Sequence, residues 1–326
     1  MIALAQEHPA ALDHLANDLL AALGPDAVQV TQPLARHTLL RVGGPADFLV
    51  LAETVQVLHR AVSLAWQHQV PCRVLGAGAN VLVSDAGFRG LVVLNRARSI
   101  SFLPCPEAGG CGAGAVVRAE SGASFSVLAR ECVQRGLAGL EWAASIPGTV
   151  GGAVVGNAGA WGSDVASTLL CATILEPGGV IVDRPVEWFE YGYRTSLLKR
   201  RASPLASEAV VLEAEFILQP GDRSALEARL VELAARRRAS QPPGASCGSV
   251  FKNPPGDYAG RLIEAAGLKG RRQGGAEISV LHGNFILNHG AATAADVKAL
   301  IDLARQTVQA KSGVLLEPEI ELVGDW

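Results

Sequence analysis

The sequence predicts an α+β chain: two α/β lobes, followed by a smaller α+β domain at the C-terminal end. Three observations carry this. Short apolar, β-branched runs alternate with helix-period segments up to about residue 220, the order expected of α/β lobes. Two glycine-dense runs interrupt them, VLGAGANVL at 74–82 and an uncharged stretch of twenty-two residues, six of them glycine, at 142–163. Beyond Pro220-Gly221-Asp222 the pattern changes to a long helix and then to mixed loops, helices and short strands.

Each element has its own signal. Leu12, Leu15, Leu19, Leu20 and Leu23 recur at helical spacing, so residues 1–30 form an N-terminal helical segment. Residues 46–52 read as a strand, 55–69 as a helix, 72–78 as a strand entering a turn and 91–95 as another strand; 31–98 is then a first lobe. A second lobe covers 99–220: a strand from 112, a helix closed by Gly136, two strands about Pro177-Gly178-Gly179, and a strand at 208–222. A third domain, 221–326, holds helices at 223–240, near 258–266 and at 293–311, strands near 277–288, and a last strand, VLLEPEIELV. The uncharged run is long enough for a membrane span, but Pro147 and the glycines make it a poor helix.

Composition excludes several classes. With 49% hydrophobic and 18% charged residues the chain is globular, and a net charge of −3 gives no reason to expect nucleic acid. The six cysteines (72, 105, 111, 132, 171, 247) show no CxxC spacing, so no metal site is expected. The N-terminus lacks a basic start and apolar core, which together with the thiols points to the cytoplasm.

Glycine at this density lets backbone approach another group closely and turn its N–H groups toward it. Gly76-Ala77-Gly78-Ala79-Asn80-Val81 begins like a dinucleotide fingerprint, but Val81 stands at the third glycine and no acidic residue follows about twenty residues on. No Walker loop exists anywhere in the chain. Alone, the first bend is as readily a tight strand-to-loop turn. Paired with Ser145-Ile146-Pro147-Gly148-Thr149 and Gly151-Gly152, it suggests two backbone nests on one pyrophosphate, a way to hold FAD without a Rossmann fold.

At this point the residues resemble a specific family, the UDP-N-acetylenolpyruvoylglucosamine reductases. The motifs are HTLLRVGG (37–44), VLGAGANVLVSD (74–85), SIPGTVGGAVVGNAGAWG (145–162), YRTSLLK (193–199), GSVFKNP (248–254) and LEPEI (316–320), with ATAADVKALI (292–301) as a further match. The resemblance implies a two-lobed FAD-binding domain of the vanillyl-alcohol-oxidase (PCMH) type and a C-terminal substrate-binding domain. His37 stands where the family often has Asn, and Leu197-Leu198 replaces the more usual aromatic. No tyrosine-bearing insertion follows Phe216, which marks the shorter class of the family.

The implied activity is reduction of the enolpyruvyl double bond of UDP-N-acetylglucosamine enolpyruvate, with non-covalent FAD as cofactor and NADPH as hydride donor. Arg194 matches the family arginine on the substrate carboxylate, for which its planar fork is suited. Ser249 matches the proton donor, and Glu319 the acid beside the carboxylate; such a glutamate holds its proton to higher pH. Strand alternation would turn Glu317, Glu319 and Glu321 to one face, so only the motif selects Glu319. Flavin contacts fall on Thr38, Arg41, Leu75, Gly76, Ala77, Gly78, Ala79, Asn80, Val81, Leu82, Ser145, Ile146, Pro147, Gly148, Thr149, Gly152, Asn157 and Gly159. Substrate contacts fall on Tyr193, Lys252 and Asn253; Arg236, Arg237, Arg238, Arg271 and Arg272 read mainly as solvated faces, with one of them a candidate for the diphosphate or the NADPH phosphate. Cys247, two residues from Ser249, reads as structural. A monomer that takes small molecules and enters no membrane is expected.

Two other readings stand beside this one. A sugar or phenol oxidase on the same flavin lobes would often tether the flavin through His or Cys, and no motif places either for that role. A non-catalytic nucleotide-binding protein would have lost Arg194, Ser249 or Glu319, and all three are intact.

Overall fold

The computed structural model describes residues 9–104, 114–201 and 209–326. Cys105, Cys111, Glu208 and the first residues of the strand expected from 112 lie outside them.

In chain order, α1 (Pro9–Leu23) precedes β1 (Val28–Pro33), β2 (Pro45–Ala52), α2 (Val55–Gln67) and β3 (Cys72–Leu75). Then come β4 (Val81–Val83), β5 (Phe88–Asn95), β6 (Ile100–Pro104), β7 (Ala115–Glu120) and α3 (Phe125–Gln134). β8 (Leu137–Ala138), α4 (Val150–Gly156), β9 (Gly159–Ala160) and β10 (Ser163–Asp164) lead into a hairpin of β11 (Leu169–Glu176) and β12 (Val180–Pro185). After α5 (Leu197–Arg201), β13 (Val210–Pro220) and α6 (Arg223–Ser240) come α7 (Ala259–Ala265), β14 (Arg272–Gln273), β15 (Ala276–Ile278) and β16 (Ile286–Asn288). α8 (Ala294–Ser312) and β17 (Glu321–Val323) complete the chain. Among the described residues, no helix is long and apolar enough to cross a membrane.

These elements form two compact units that interleave along the chain. The first takes Met1–Val30, Asp47–Gly76 and Arg89–Ala234; the second takes Thr31–Ala46, Ala77–Phe88 and Ala235–Trp326.

The first unit carries two sheets. One has the order β1-β2-β5-β3, with β3 and β5 parallel. Leu91, Val92, Val93 and Leu94 of β5 are all buried, the continuous apolar run expected of a strand covered on both faces. α2 packs on it through Leu58, Ala61, Val62 and Ala65, and starts where the Thr54 hydroxyl accepts the Val57 N–H at 3.3 Å. The other sheet is antiparallel, β12-β11-β13-β7-β6, with β8 beside β13. From Leu212 to Leu218, β13 alternates buried and half-buried residues, the period of a two-sided strand. Its Phe216 meets Phe125 of α3 (centroids 6.0 Å apart), which meets Trp142 edge-on at 5.6 Å. Burying each such ring stabilises the lobe by about 1.5–3 kcal/mol.

Two local expectations are corrected. The glycine-rich run contains a two-turn helix, α4, whose low propensity is offset by burial of Val150, Ala153 and Val154 and by a Thr149 cap. VLLEPEIELV is a strand only at β17; residues 314–320 are irregular, and the chain bends at Ile320. Alternation therefore does not run from Glu317 to Glu321.

In the second unit, α8 buries Val297, Leu300, Ile301, Ala304 and Val308 against Leu262, Ile263 and Phe251. A Thr293–Asp296 capping box begins it and Gly313, with φ 73, ends it. β4 lies parallel to β17, Glu321 opposite Val81 and Val323 opposite Val83. Asp85, just past β4, accepts the Ala294 and Ala295 N–H groups at 2.8 and 2.9 Å. Residues 31–46 and 77–88 thus fold with the C-terminal third of the chain, not with their neighbours in sequence. Asp85→Ala leaves two helix N–H groups without acceptors and is expected to cost about 1–2 kcal/mol in urea unfolding; an unchanged midpoint would mean the cap is dispensable.

Candidate active site

Within the first unit, Gly76 meets Thr149 of the second glycine run. A Cβ built on Gly76, at the end of β3, would collide with the hydroxyl and methyl of Thr149. Only glycine allows that approach. Thr149 is itself fixed, its hydroxyl accepting the Gly152 N–H at 3.5 Å and its backbone bridging to Ser124. Gly151 lies against Ser121, donating to its carbonyl at 2.8 Å. The Arg96 guanidinium ties down the Gly76 carbonyl at 2.9 Å. Within this frame the buried Ser145 hydroxyl has no hydrogen-bond partner. Gly148, with φ +136, has open space where a side chain would be. A buried hydroxyl left unpaired costs about 1–3 kcal/mol, so Ser145 fits a group that supplies a partner. Gly76 and the 145–152 run thus suit a polar cofactor held largely by main chain.

Downstream of α4, side chains service the carbonyls that the helix leaves unpaired. Tyr191 donates to the Val154 carbonyl at 2.8 Å, and burial pushes its phenol well above the usual range. Ser196, fully buried, donates to Val155 at 2.6 Å. Asn157 ends the helix in the left-handed region (φ 44), a conformation asparagine tolerates. Its buried side chain donates to Asp164 at 3.1 Å and to the Gly192 carbonyl at 3.0 Å, and accepts the Ala166 N–H at 3.1 Å. Gly192 opens a tight turn closed by reciprocal Gly192–Thr195 bonds at 3.1 and 3.2 Å. Tyr193, exposed, and Arg194, at φ 56, are its two central residues. The Arg194 guanidinium returns to the Gly159 carbonyl and, at 3.5 Å, to that of Asn157. Arg194, Asn157 and Gly159 are thus one hydrogen-bonded group. Tyr191 and Ser196 are parts of it that sequence reading missed, although Ser196 lies in the YRTS motif and Tyr191 two residues before it.

The second unit holds Ser249 and Glu319. Ser249 bridges to Phe285, and the next carbonyl, of Val250, accepts both the Glu319 N–H at 2.8 Å and the Ile320 N–H at 3.3 Å. Phe251 bridges to Pro318, and the Lys252 N–H donates to the Glu317 carbonyl at 2.9 Å. The backbones of GSVFKNP and LEPEI therefore run side by side, with both candidate residues half-buried. Asn284, buried and unforeseen, holds the 249–252 segment by accepting the Phe251 N–H at 2.9 Å and donating to its carbonyl at 2.8 Å. Burial, with the charge of Glu319 adding, pushes the Cys247 thiol up to about 12.

The remaining candidates lie in the same unit. Thr38 is buried against the Gly78 bend and donates to the Val42 carbonyl at 3.0 Å. Arg41 adopts φ 58, its carbonyl and that of Leu40 held by Asn288 at 3.5 and 2.9 Å. Asn80 donates its amide to the Glu319 carbonyl at 3.0 Å. Asn253 accepts the Ala259 N–H at 3.1 Å at the head of α7. Two candidate phosphate ligands have protein partners: Lys252 pairs with Glu317 at 2.6 Å, and Arg272 with the buried Glu277 at 2.6 Å.

Comparison with known proteins agrees with these motifs. Residues 240–323 match the model of the UDP-N-acetylenolpyruvoylglucosamine reductase C-terminal domain, and residues 46–184 match an FAD binding domain. The UDP-N-acetylenolpyruvoylglucosamine reductase of Rubrobacter xylanophilus is 46% identical over 299 residues, covering 92% of this chain and 96% of that one. Its counterpart from Chloroflexus aggregans is 43% identical over 299 residues, 92% of this chain and 98% of its own. A crystal structure of UDP-N-acetylenolpyruvylglucosamine reductase from Thermus caldophilus superposes with a TM-score of 0.72 at 34% identity, over 91% of this chain and 98% of that one. Fold and motifs together define a flavoprotein oxidoreductase whose cofactor is FAD. The chain belongs to the UDP-N-acetylenolpyruvoylglucosamine reductase family. The expected FAD-binding domain followed by that family's C-terminal domain is borne out.

Two outcomes follow from the geometry. Asn157→Ala strands three part-buried polar partners and is expected to destabilise the protein by about 1–3 kcal/mol in denaturant unfolding; a loss within experimental error would refute its place at the centre of the group. Cys247 should resist iodoacetamide at pH 8 in the native protein and react once unfolded, because a thiol titrating near 12 is almost entirely protonated there. Peptide mapping after alkylation reads this directly, and a modified Cys247 in native protein would contradict it.

Proposed function

We propose that this enzyme reduces the enolpyruvyl double bond of UDP-N-acetylglucosamine enolpyruvate to UDP-N-acetylmuramate, a step of peptidoglycan precursor synthesis, with NADPH as reductant. The observation that most supports this reading is the pair of hydrogen bonds that the Val250 carbonyl accepts from the Glu319 and Ile320 N–H groups, so that Ser249 and Glu319 lie on adjoining backbone segments.

The chemistry supplied by bound FAD is delivery of a hydride, drawn from NADPH, to the terminal carbon of the double bond. Backbone of residues 75–82 and 145–149, with Gly152, would hold the cofactor, and the unpaired Ser145 hydroxyl would gain a partner there. Negative charge then develops on the carbon beside the substrate carboxylate. Arg194 takes that carboxylate as a fixed cation, its turn being held by Asn157 and its guanidinium steered by the Gly159 carbonyl. Glu319 completes the carboxylate site as a hydrogen-bond donor when protonated. Ser249 delivers a proton to the charged carbon, leaving an alkoxide that solvent reprotonates. A hydroxyl is a weak acid, so its position must do most of the work, and the Phe285 and Val250 backbone contacts provide that position. Tyr193 and Asn253 contact the sugar nucleotide. In this reading the enzyme works in the cytoplasm, with Cys72, Cys132, Cys171 and Cys247 as thiols.

The purified protein should be yellow and release flavin on denaturation; a colourless protein that cannot be reconstituted with FAD would overturn the reading. Ser249→Ala should still be bleached by NADPH, whereas its reoxidation by the enolpyruvyl sugar nucleotide, followed anaerobically in the flavin spectrum, should slow by about 10²–10⁴-fold. Normal turnover in that variant would remove Ser249 from the proton step.

A further inference from the structure

Glu319 is gripped from two directions. Its N–H donates to the Val250 carbonyl at 2.8 Å, and its own carbonyl accepts the Asn80 side-chain amide at 3.0 Å across 239 residues of chain. Two residues on, the Glu321 N–H donates to the Asn80 carbonyl at 3.0 Å, and the parallel β17–β4 pairing begins there. One residue therefore holds the backbone at 319 with its side chain and at 321 with its main chain. That fixes the peptide plane following Glu319 and hence the direction in which its side chain leaves. A short primary amide suits the task, since it offers N–H donors to a carbonyl while leaving the residue's own carbonyl to accept. Asn80 also closes the Gly76-Ala77-Gly78-Ala79-Asn80 bend, which is pinned upstream by the Leu39 N–H on the Gly78 carbonyl at 3.0 Å.

We infer that Asn80 is a positioning residue for Glu319, linking the conformation of the cofactor loop to the placement of the acid. This rests on the assignment of Glu319 to the substrate carboxylate. Any shift of residues 77–79 reaches 319 and 321 through two hydrogen bonds, one from the Asn80 side-chain amide and one to its carbonyl. Cofactor seated on the loop thus holds the acid in register, and displacement of such a group by about 1 Å is enough to slow a reaction roughly 10²-fold.

The test compares flavin-loaded wild-type protein with Asn80→Ala and with Asn80→Asp, which keeps the size but turns an oxygen toward the Glu319 carbonyl. Amide hydrogen exchange over 319–323 should quicken about tenfold in both variants, the factor expected for one lost hydrogen bond. Reoxidation by UDP-N-acetylglucosamine enolpyruvate should slow about 10- to 100-fold, and by more than reduction by NADPH does. Unchanged exchange at 319–323 overturns the inference. So do equal losses in both half-reactions that track weakened flavin binding, for Asn80 would then be a cofactor ligand only. Glu319→Gln separates the two levels: normal turnover there removes the role of Glu319 itself, whereas impaired turnover beside intact Asn80 variants removes only the link. Should Asn80→Ala fail to fold, the same readouts on Asn80→Asp decide the matter.

Discussion

Between the backbone of Gly76 and the hydroxyl of Thr149 there is no room for a side chain, and much of the first unit is arranged to keep it so. β3 ends there, α4 begins there, and Arg96 fastens the Gly76 carbonyl from the side. The consequence is a pair of bends with small residues and one buried hydroxyl, Ser145, without a partner. Larger side chains would satisfy their own packing needs and fill the space. Glycine leaves the main chain as the surface on offer, and main-chain N–H groups are suited to an anionic dinucleotide.

A second economy runs through both units: carbonyls exposed by short or broken elements are taken up by individual side chains. In the first unit Tyr191, Ser196 and Arg194 reach back to Val154, Val155 and Gly159. In the second, Asn284 brackets Phe251, Asn288 holds Leu40, and Asn80 holds Glu319. Asparagine recurs because its amide both donates and accepts, so one side chain can splint an irregular segment that no ladder would stabilise. Irregular loops are splinted in this way without lengthening any strand. Arg194 sits at φ 56 in a two-residue turn, a conformation the surrounding bonds must hold in place.

The pairing of charged groups also redistributes roles. Lys252 and Arg272, attractive as phosphate ligands from their charge alone, meet Glu317 and Glu277. Lys252 is largely covered while Glu317 is open, so their pair contributes about 1 kcal/mol or less in water. Within the motif set, the Arg194 guanidinium reaches the Gly159 and Asn157 carbonyls.

Helix period and strand runs determined by themselves the α+β plan, because each is a local pattern within fifteen or so residues. α1, α2, α6 and α8 fall where periodicity puts them. The motifs likewise named Arg194, Ser249 and Glu319 before any coordinates. α4 was hidden, since its glycines advertise the opposite of a helix and only burial against the β13 lobe overrides them. The interleaving of residues 31–46 and 77–88 with the C-terminal third was hidden as well, because parallel pairing of β4 with β17 and the Asp85 cap join segments more than two hundred residues apart. Which of three nearby glutamates is clamped, and by what, was decided only in the folded molecule. A side chain's direction follows its own peptide planes, and at Glu319 those planes are set by Val250 and Asn80, partners that no reading of neighbouring residues can supply.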